Sequence, residues 1–298
     1  MATGTGAALG GGQVSFNLHR VDSLDSAAAL GHKLGPSARY IAGGTDLMIQ
    51  MSRGLRSAKD IIDLSSLQAL KSMAFNQDSV RIGALCTHKD VEQSVGLQSR
   101  FPALCAAASV VGGHQIRNVG TVGGNLANGS PAADVGTAML ALDARVHLFS
   151  TAGRRVVDID DFFIAAGKTA LLDGEIVEAV ELPFAAERSV NTFIKAGRRK
   201  AMEISLVCVG VSMVFDSSGN IASSRISLGS VGPRPLRARA AEAVLIGRPA
   251  DARAGLLAGQ TASQESSPRT DVRGSCEYRS LLIASLVERA VAQCNAMN

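Results

Sequence analysis

At 298 residues the chain has room for one large domain or two ordinary ones, and a core of that size needs no disulfide or metal staple. Hydrophobic residues make up 46%, charged residues 19% and aromatics only 4%, with no Trp, which excludes a disordered or fibrous chain and argues against a stacking platform for single-stranded nucleic acid. The net charge of +4 is carried by interspersed signs, so it suits a pocket for an anionic ligand or ordinary solubility better than a nucleic-acid track.

The first thirteen residues are rich in Gly and Ala and read as a flexible tail. They lack the basic and apolar regions of a secretory signal, and "GTGAALG" has no strand before it to make a dinucleotide fingerprint. From Phe16 the pattern alternates between element types. "DSLDSAAALGHKLG" has the Ser/Asp start and Gly stop of a short capped helix. "ARYIAGG" is a strand ending in two glycines, and "TDLMIQMSRG" reads as a helix capped by Thr45 and Asp46 and closed by Gly54. "DIIDL" and "SVRIGAL" are strand-like, and "FPALCAAASVV" is a helix with an early Pro. "RVHLFS" and "RRVVDI" form a hairpin around "TAG".

After "ELPF" the texture changes, and a domain boundary is placed near Pro183. "NTFIKAGRR", "SLVCVGVSMVFD" and "RISLGSVGP" are strand-like, with "DSSGN" turning between the last two. Two helices are expected, "LRARAAEAVLIG" and "YRSLLIASLVERAVAQC". In the second, Ile283, Val287, Ala290 and Cys294 share one stripe. The polar "GQTASQESSPRTD" between them reads as a mobile loop. The division is thus a tail over 1–13, a first domain over 14–183 and an α+β unit over 184–298.

The five cysteines are widely scattered, with no C-x-x-C pair. That argues against a disulfide framework, a zinc site or an iron–sulfur site in this chain, and no metal site is expected. No apolar run reaches about 18 residues, so no membrane span is expected and the location is read as cytoplasmic.

Two stretches leave unusual amounts of backbone uncovered: "YIAGGTDL" and "GTVGGNLANGSPAAD". Glycine permits positive φ and close approach of a ligand to the main chain, and a helix start offers free N–H groups to a phosphate. Two converging loops of this kind could hold a pyrophosphate from both sides; a pair of tight turns is the bland reading. "GKT" at 167–169 is no P-loop, because Phe162 stands where the first Gly is required. "AGGTDL" is no Rossmann fingerprint either. A diphosphate held by loops remains, with a flavin dinucleotide as the natural candidate.

The two stretches together resemble the FAD-binding medium subunit of molybdenum hydroxylases, the xanthine dehydrogenase and carbon monoxide dehydrogenase family. The resemblance continues through "ALDARV", "FFIAAGKTAL", "GEIVEAVELP", "FIKAGRRKAMEIS" and "DVRGSCEYR", over roughly residues 14–295. It implies an α+β fold: the two-part FAD-binding architecture of vanillyl-alcohol-oxidase-like flavoproteins plus a small C-terminal α+β domain. It further implies that Tyr40, Ile41, Ala42, Gly43, Gly44, Thr45, Asp46 and Leu47 wrap the pyrophosphate of FAD. Thr121, Val122, Gly123, Gly124 and Asn125 would form the second loop, with Asp134 reaching ribityl or sugar hydroxyls. Val111 and Gly112 would lie near the flavin, Ile176 or Val177 would touch the ring system, and Lys195 would sit near the cofactor. Phe193 stands where some relatives carry a tyrosine against the isoalloxazine.

By the same resemblance, two [2Fe–2S] clusters and a molybdenum–pterin cofactor belong to partner subunits: an iron–sulfur small subunit and a molybdenum-binding large subunit. The assembly would be a heterotrimer, dimerised in some members. This chain would relay electrons to an external acceptor while the molybdenum subunit hydroxylates an N-heterocyclic or aromatic substrate. No catalytic acid–base residue is expected here. His88 and His114 are tempting, but a structural role for the first and a loop hydrogen bond for the second are the expectations, and Arg117, Arg198 and Arg199 are read as loop or subunit supports. The alternatives are a free-standing flavin oxidoreductase of related fold and a cofactor-free assembly protein.

Overall fold

The computed structural model describes residues 15–185, 187–199 and 201–298. The expected tail over 1–13, with its "GTGAALG", lies outside the described residues. The chain opens with β1 (Asn17–Arg20), α1 (Leu24–Leu34), β2 (Ala38–Ile41), α2 (Leu47–Ser52) and β3 (Asp60–Asp63). The three strands form a parallel sheet in the order β1-β3-β2. Parallel neighbours require crossovers, and the helices supply them. Ser23 caps α1 in a capping box and Gly35 closes it at φ 59°, as the sequence predicts. Helix α2 differs: Asp46 stands at its N-cap but makes no capping bond through its side chain.

A five-stranded antiparallel sheet follows, ordered β4-β5-β10-β6-β7, from β4 (Met73–Phe75), β5 (Ser79–Gly83), β6 (Arg145–Ser150), β7 (Gly153–Asp158) and β10 (Ile176–Pro183). Between β5 and β6 run α3 (His88–Gln93), α4 (Val95–Arg100), α5 (Pro102–Ser109), α6 (His114–Arg117), α7 (Val122–Ala127) and α8 (Asp134–Ala141). The short helix α9 (Ile159–Phe162) and the ribbon of β8 (Phe163–Ala165) and β9 (Lys168–Thr169) complete this part. Helices α5 and α8 are buried on nearly every side, and their alanines let them pack closely against the sheet of the C-terminal part.

The C-terminal part is a four-stranded antiparallel sheet of β11 (Ser189–Ala196), β12 (Val207–Phe215), β13 (Ile221–Gly229) and β14 (Leu236–Arg237). It is covered by α10 (Arg239–Ala243), α11 (Ala252–Glu265) and α12 (Cys276–Met297). The predicted stripe of Ile283, Val287, Ala290 and Cys294 on α12 is fully buried in this second core. The mixed helix-and-sheet class expected from the sequence is what the structure has. Two expectations fail. The helix expected over 236–247 begins as strand β14 and is helical only over Arg239–Ala243. The loop expected over 259–271 is helical as far as Glu265. The contact face of α11 is Ala254, Gly255, Ala258, Gly259 and Ala262, too small to register as a hydrophobic stripe. That smallness is its function, since a Cβ on Gly259 would lie 2.3 Å from the Ala284 carbonyl oxygen of α12.

A bulge in β10 at Glu178 turns that carboxylate toward Arg81 (3.0 Å) and Arg154 (3.1 Å). Burial alone would raise its pKa; the hydrogen bond from Arg154 and the charge of Arg81 outweigh this and lower it. A carboxyl depressed in the folded state stabilises the fold above its unfolded value and loses that contribution as pH falls through its folded value. Because Arg154 is largely exposed, the contribution is about 1 kcal/mol or less. The melting temperature is therefore expected to fall as pH drops below about 4, and Glu178→Gln is expected to flatten that part of a thermal-melt pH series.

Candidate functional site

Strand β2 ends at Ile41, whose carbonyl accepts the Leu64 N–H at 2.9 Å. Beyond it the chain leaves the sheet and turns through Gly43 and Gly44. Gly44 has φ 68°, a conformation that strains any residue with a Cβ. The backbone N–H groups of residues 42–47 donate to no acceptor among the described residues. Free amides running into a helix start suit an anionic or strongly accepting ligand, and all of these residues but Asp46 are half-buried.

The second glycine stretch lies directly against the first. A Cβ on Gly43 would sit 1.9 Å from the Val119 carbonyl oxygen, so the two loops touch backbone to backbone. The second loop uses its own amides, however. Val122 donates to Cys86 O (2.9 Å), Gly123 to Ala84 O (2.8 Å), Gly124 to Thr121 Oγ1 (3.1 Å) and Asn125 to Thr121 O (2.9 Å). The two loops therefore differ: four of the five amides of 121–125 are taken within the chain. The first loop presents the donors, and the second forms a wall that lets it come close.

Between them runs a cleft lined by Tyr40, Ile41, Ala42, Gly43, Gly44, Thr45, Asp46 and Leu47 on one side and Val111, Thr121, Gly124 and Asn125 on the other. Arg39 and Arg56 add positive charge along it. An adjoining apolar pocket shares Tyr40, Ile41, Ala42 and Gly124 and holds Gly123, Ile176 and Val177, with Leu64, Leu85 and Leu171. The Tyr40 hydroxyl, raised to about 12 by burial, lies 3.1 Å from the Gly174 carbonyl and fixes the ring at the junction of the two spaces. Val122 is fully buried and points into the core. Gly112, at φ 51°, follows Val111 and accepts the Met202 N–H through its carbonyl at 3.1 Å.

Three of the expected contacts, Phe193, Lys195 and Asp134, are not among the residues that line these two spaces. Asn191, Phe193 and Lys195 lie on one face of β11, turned toward α5 and α8. Phe193 is 8% exposed, part of the core between the two parts and no wall of the cleft. Lys195 Nζ donates to Asp134 Oδ2 (2.7 Å) and to the Val110 carbonyl (3.0 Å), while Ser205 Oγ donates to the other oxygen of Asp134. Burial raises the Asp134 carboxyl, and the Lys195 ammonium pulls it back toward the charged form. These groups satisfy each other and hold the Val110 end of the wall. The expected supports fit: Arg117 donates to Glu92 (2.9 Å), Arg199 pairs with Glu203 (3.0 Å), and His114 lies 3.4 Å from Arg117.

The sequence reading missed Gln50, Asn128 and His88 as cleft residues. Gln50 Nε2 donates to Asn128 Oδ1 (3.1 Å) across the cleft. His88 lines it as well, although only 3% exposed. A helix-period reading could have placed Gln50 beside Leu47; Asn128 lies inside the second glycine stretch, and His88 stands out in the sequence but reads as structural.

Residues 14–185 match the family model described as FAD binding domain in molybdopterin dehydrogenase. Residues 192–294 match that of the CO dehydrogenase flavoprotein C-terminal domain. The chain belongs to the FAD-binding medium-subunit family of molybdenum hydroxylases. This flavoprotein subunit is 33% identical to a xanthine dehydrogenase FAD-binding subunit of Escherichia coli O157:H7, over 88% of this chain and 90% of the relative. It is 35% identical to a nicotinate dehydrogenase FAD-subunit of Eubacterium barkeri, over 78% and 80%. Among solved structures it is similar to carbon monoxide dehydrogenase of Hydrogenophaga pseudoflava, the form lacking the Mo-pyranopterin moiety. There the TM-score is 0.91 and the identity 31%, covering 94% of this chain and 97% of the other.

The cofactor of the flavoprotein subunit is FAD, and the residues present suit it. The unpaired amides of 42–47 would meet the diphosphate, and the apolar side chains of the adjoining pocket suit an uncharged part of the cofactor. His88 and Asn125 both line the cleft, and each carries a sealed polar atom, Nδ1 and Oδ1, with no partner among the described residues.

Proposed function

We propose that this chain is the FAD-carrying electron-transfer subunit of a multi-subunit molybdenum hydroxylase. The observation that carries the reading is the row of unpaired amides at 42–47 pressed against the second glycine loop. FAD, when bound, supplies the ability to exchange both one and two electrons; the protein binds it, orients it and limits water around it. The amides and the dipoles behind them hold the diphosphate. Tyr40, Ile176 and Val177 shape the apolar end, and the Lys195–Asp134 pair fixes the turn at Val110 through which the opposite wall is built.

Electrons reach the flavin from [2Fe–2S] clusters of a small partner subunit and leave to an external acceptor. A large partner subunit carries the molybdenum–pterin cofactor and hydroxylates an N-heterocyclic or aromatic substrate. The names of the xanthine and nicotinate relatives support that substrate class. The three subunits form a heterotrimer in the cytoplasm; no helix among the described residues is long and apolar enough to cross a membrane.

The test is a tagged chain recovered from its own host. Two partners, one with iron–sulfur and one with molybdenum, are expected to copurify, and xanthine or nicotinate is expected to bleach the flavin only when both are present. Bleaching of the isolated chain by an organic substrate would instead establish a free-standing flavin oxidoreductase.

A further inference from the structure

His88 opens helix α3 and is held there from three directions. Thr87 caps the helix in a reciprocal box with Asp90, so the first turn is pinned. The His88 N–H donates to the Gly120 carbonyl at 3.0 Å, which ties the residue to the second glycine loop. Its ring lies against Gly120, where a Cβ would come within 3.1 Å of Cδ2. A side chain so fixed and only 3% exposed is expected to have its polar atoms paired if its role is to support the fold. Nδ1 is sealed and has no partner among the described residues, while the residue itself lines the cleft that residues 42–47 also line, so a ligand there needs only a small ring shift to reach it. Asn125 Oδ1, on the same wall, is unpaired too.

We infer that His88 is a further cofactor-contacting residue, hydrogen-bonding an oxygen of the diphosphate–ribityl chain of bound FAD. The inference rests on FAD being the ligand of this cleft. Burial first, and then the nearby Arg117 charge, lower the imidazole pKa to about 4. At neutral pH the ring is uncharged, so it acts as a hydrogen-bonding group of fixed orientation and not as an acid or base. This explains how a histidine can face the cleft without giving the subunit acid–base chemistry of its own.

The full chain, stripped of FAD and titrated with FAD by flavin fluorescence, tests this. His88→Ala is expected to bind FAD about tenfold more weakly, alongside a modest fall in apo-protein melting temperature from the cavity it leaves. His88→Gln, which keeps a donor, is expected to recover most of the loss. Wild-type affinity in a folded His88→Ala chain would overturn the inference and leave only an ordered water at Nδ1. Should His88→Ala not fold, the side-chain nitrogen resonances of ¹⁵N-histidine-labelled wild type decide: a shift on adding FAD supports the contact, and an unmoved ring overturns it. A wild-type chain that binds no FAD would overturn the cofactor assignment itself, an outcome distinct from equal binding by both chains.

Discussion

Gly43→Ala is expected to strip the chain of FAD and to lower its stability by about 2–3 kcal/mol. The added methyl group would arrive 1.9 Å from the Val119 carbonyl oxygen and 3.0 Å from the Gly120 nitrogen. Neither atom belongs to a side chain that can swing away. The second loop is bonded to Ala84 and Cys86 through Gly123 and Val122, so it cannot retreat cheaply. The first loop must lift, and residues 42–47 would no longer keep their place along the cleft. Flavin content after purification and the apo-protein melting temperature both check this. A variant that keeps a full complement of FAD would show that the two loops separate without cost.

Lys195→Met is expected to lower the melting temperature by about 10 °C, from a loss of about 3–5 kcal/mol. Removing the ammonium leaves the Asp134 carboxylate buried with only Ser205 as a partner, and the Val110 carbonyl loses its donor. The cost lies mainly in the uncompensated charge, so adding Asp134→Asn to Lys195→Met is expected to restore much of the stability. Differential scanning calorimetry of the two single variants and the double variant reads the coupling. Additive effects would mean that the pair is not the closed buried unit described here.

Legibility in the sequence followed how local each signal is. The cap pair Ser23 and Gly35, the turn at 151–153 and the apolar stripe of α12 are set by neighbours within a few residues, and all were readable. Helix α11 was not, because its packing face is made of Ala and Gly and matters only once α12 lies against it. The glycine motifs marked the cleft, but their unequal roles depend on which amides the neighbouring strands take, and that is a tertiary fact. Asp134 and Lys195 are 61 positions apart. The resemblance placed both beside the cofactor, and only the fold shows that they bond to each other. His88 stands out in the sequence but reads as structural; its place in the cleft and its orphaned ring nitrogen show only in the folded chain.

The most direct test of the whole account is the visible spectrum of the purified full chain, followed by acid release and identification of the chromophore. One FAD per chain, retained or taken up on addition, is the expected result. A colourless chain that takes up no added FAD would contradict the account, leaving the glycine loops as turns and the unpaired amides of 42–47 without a ligand.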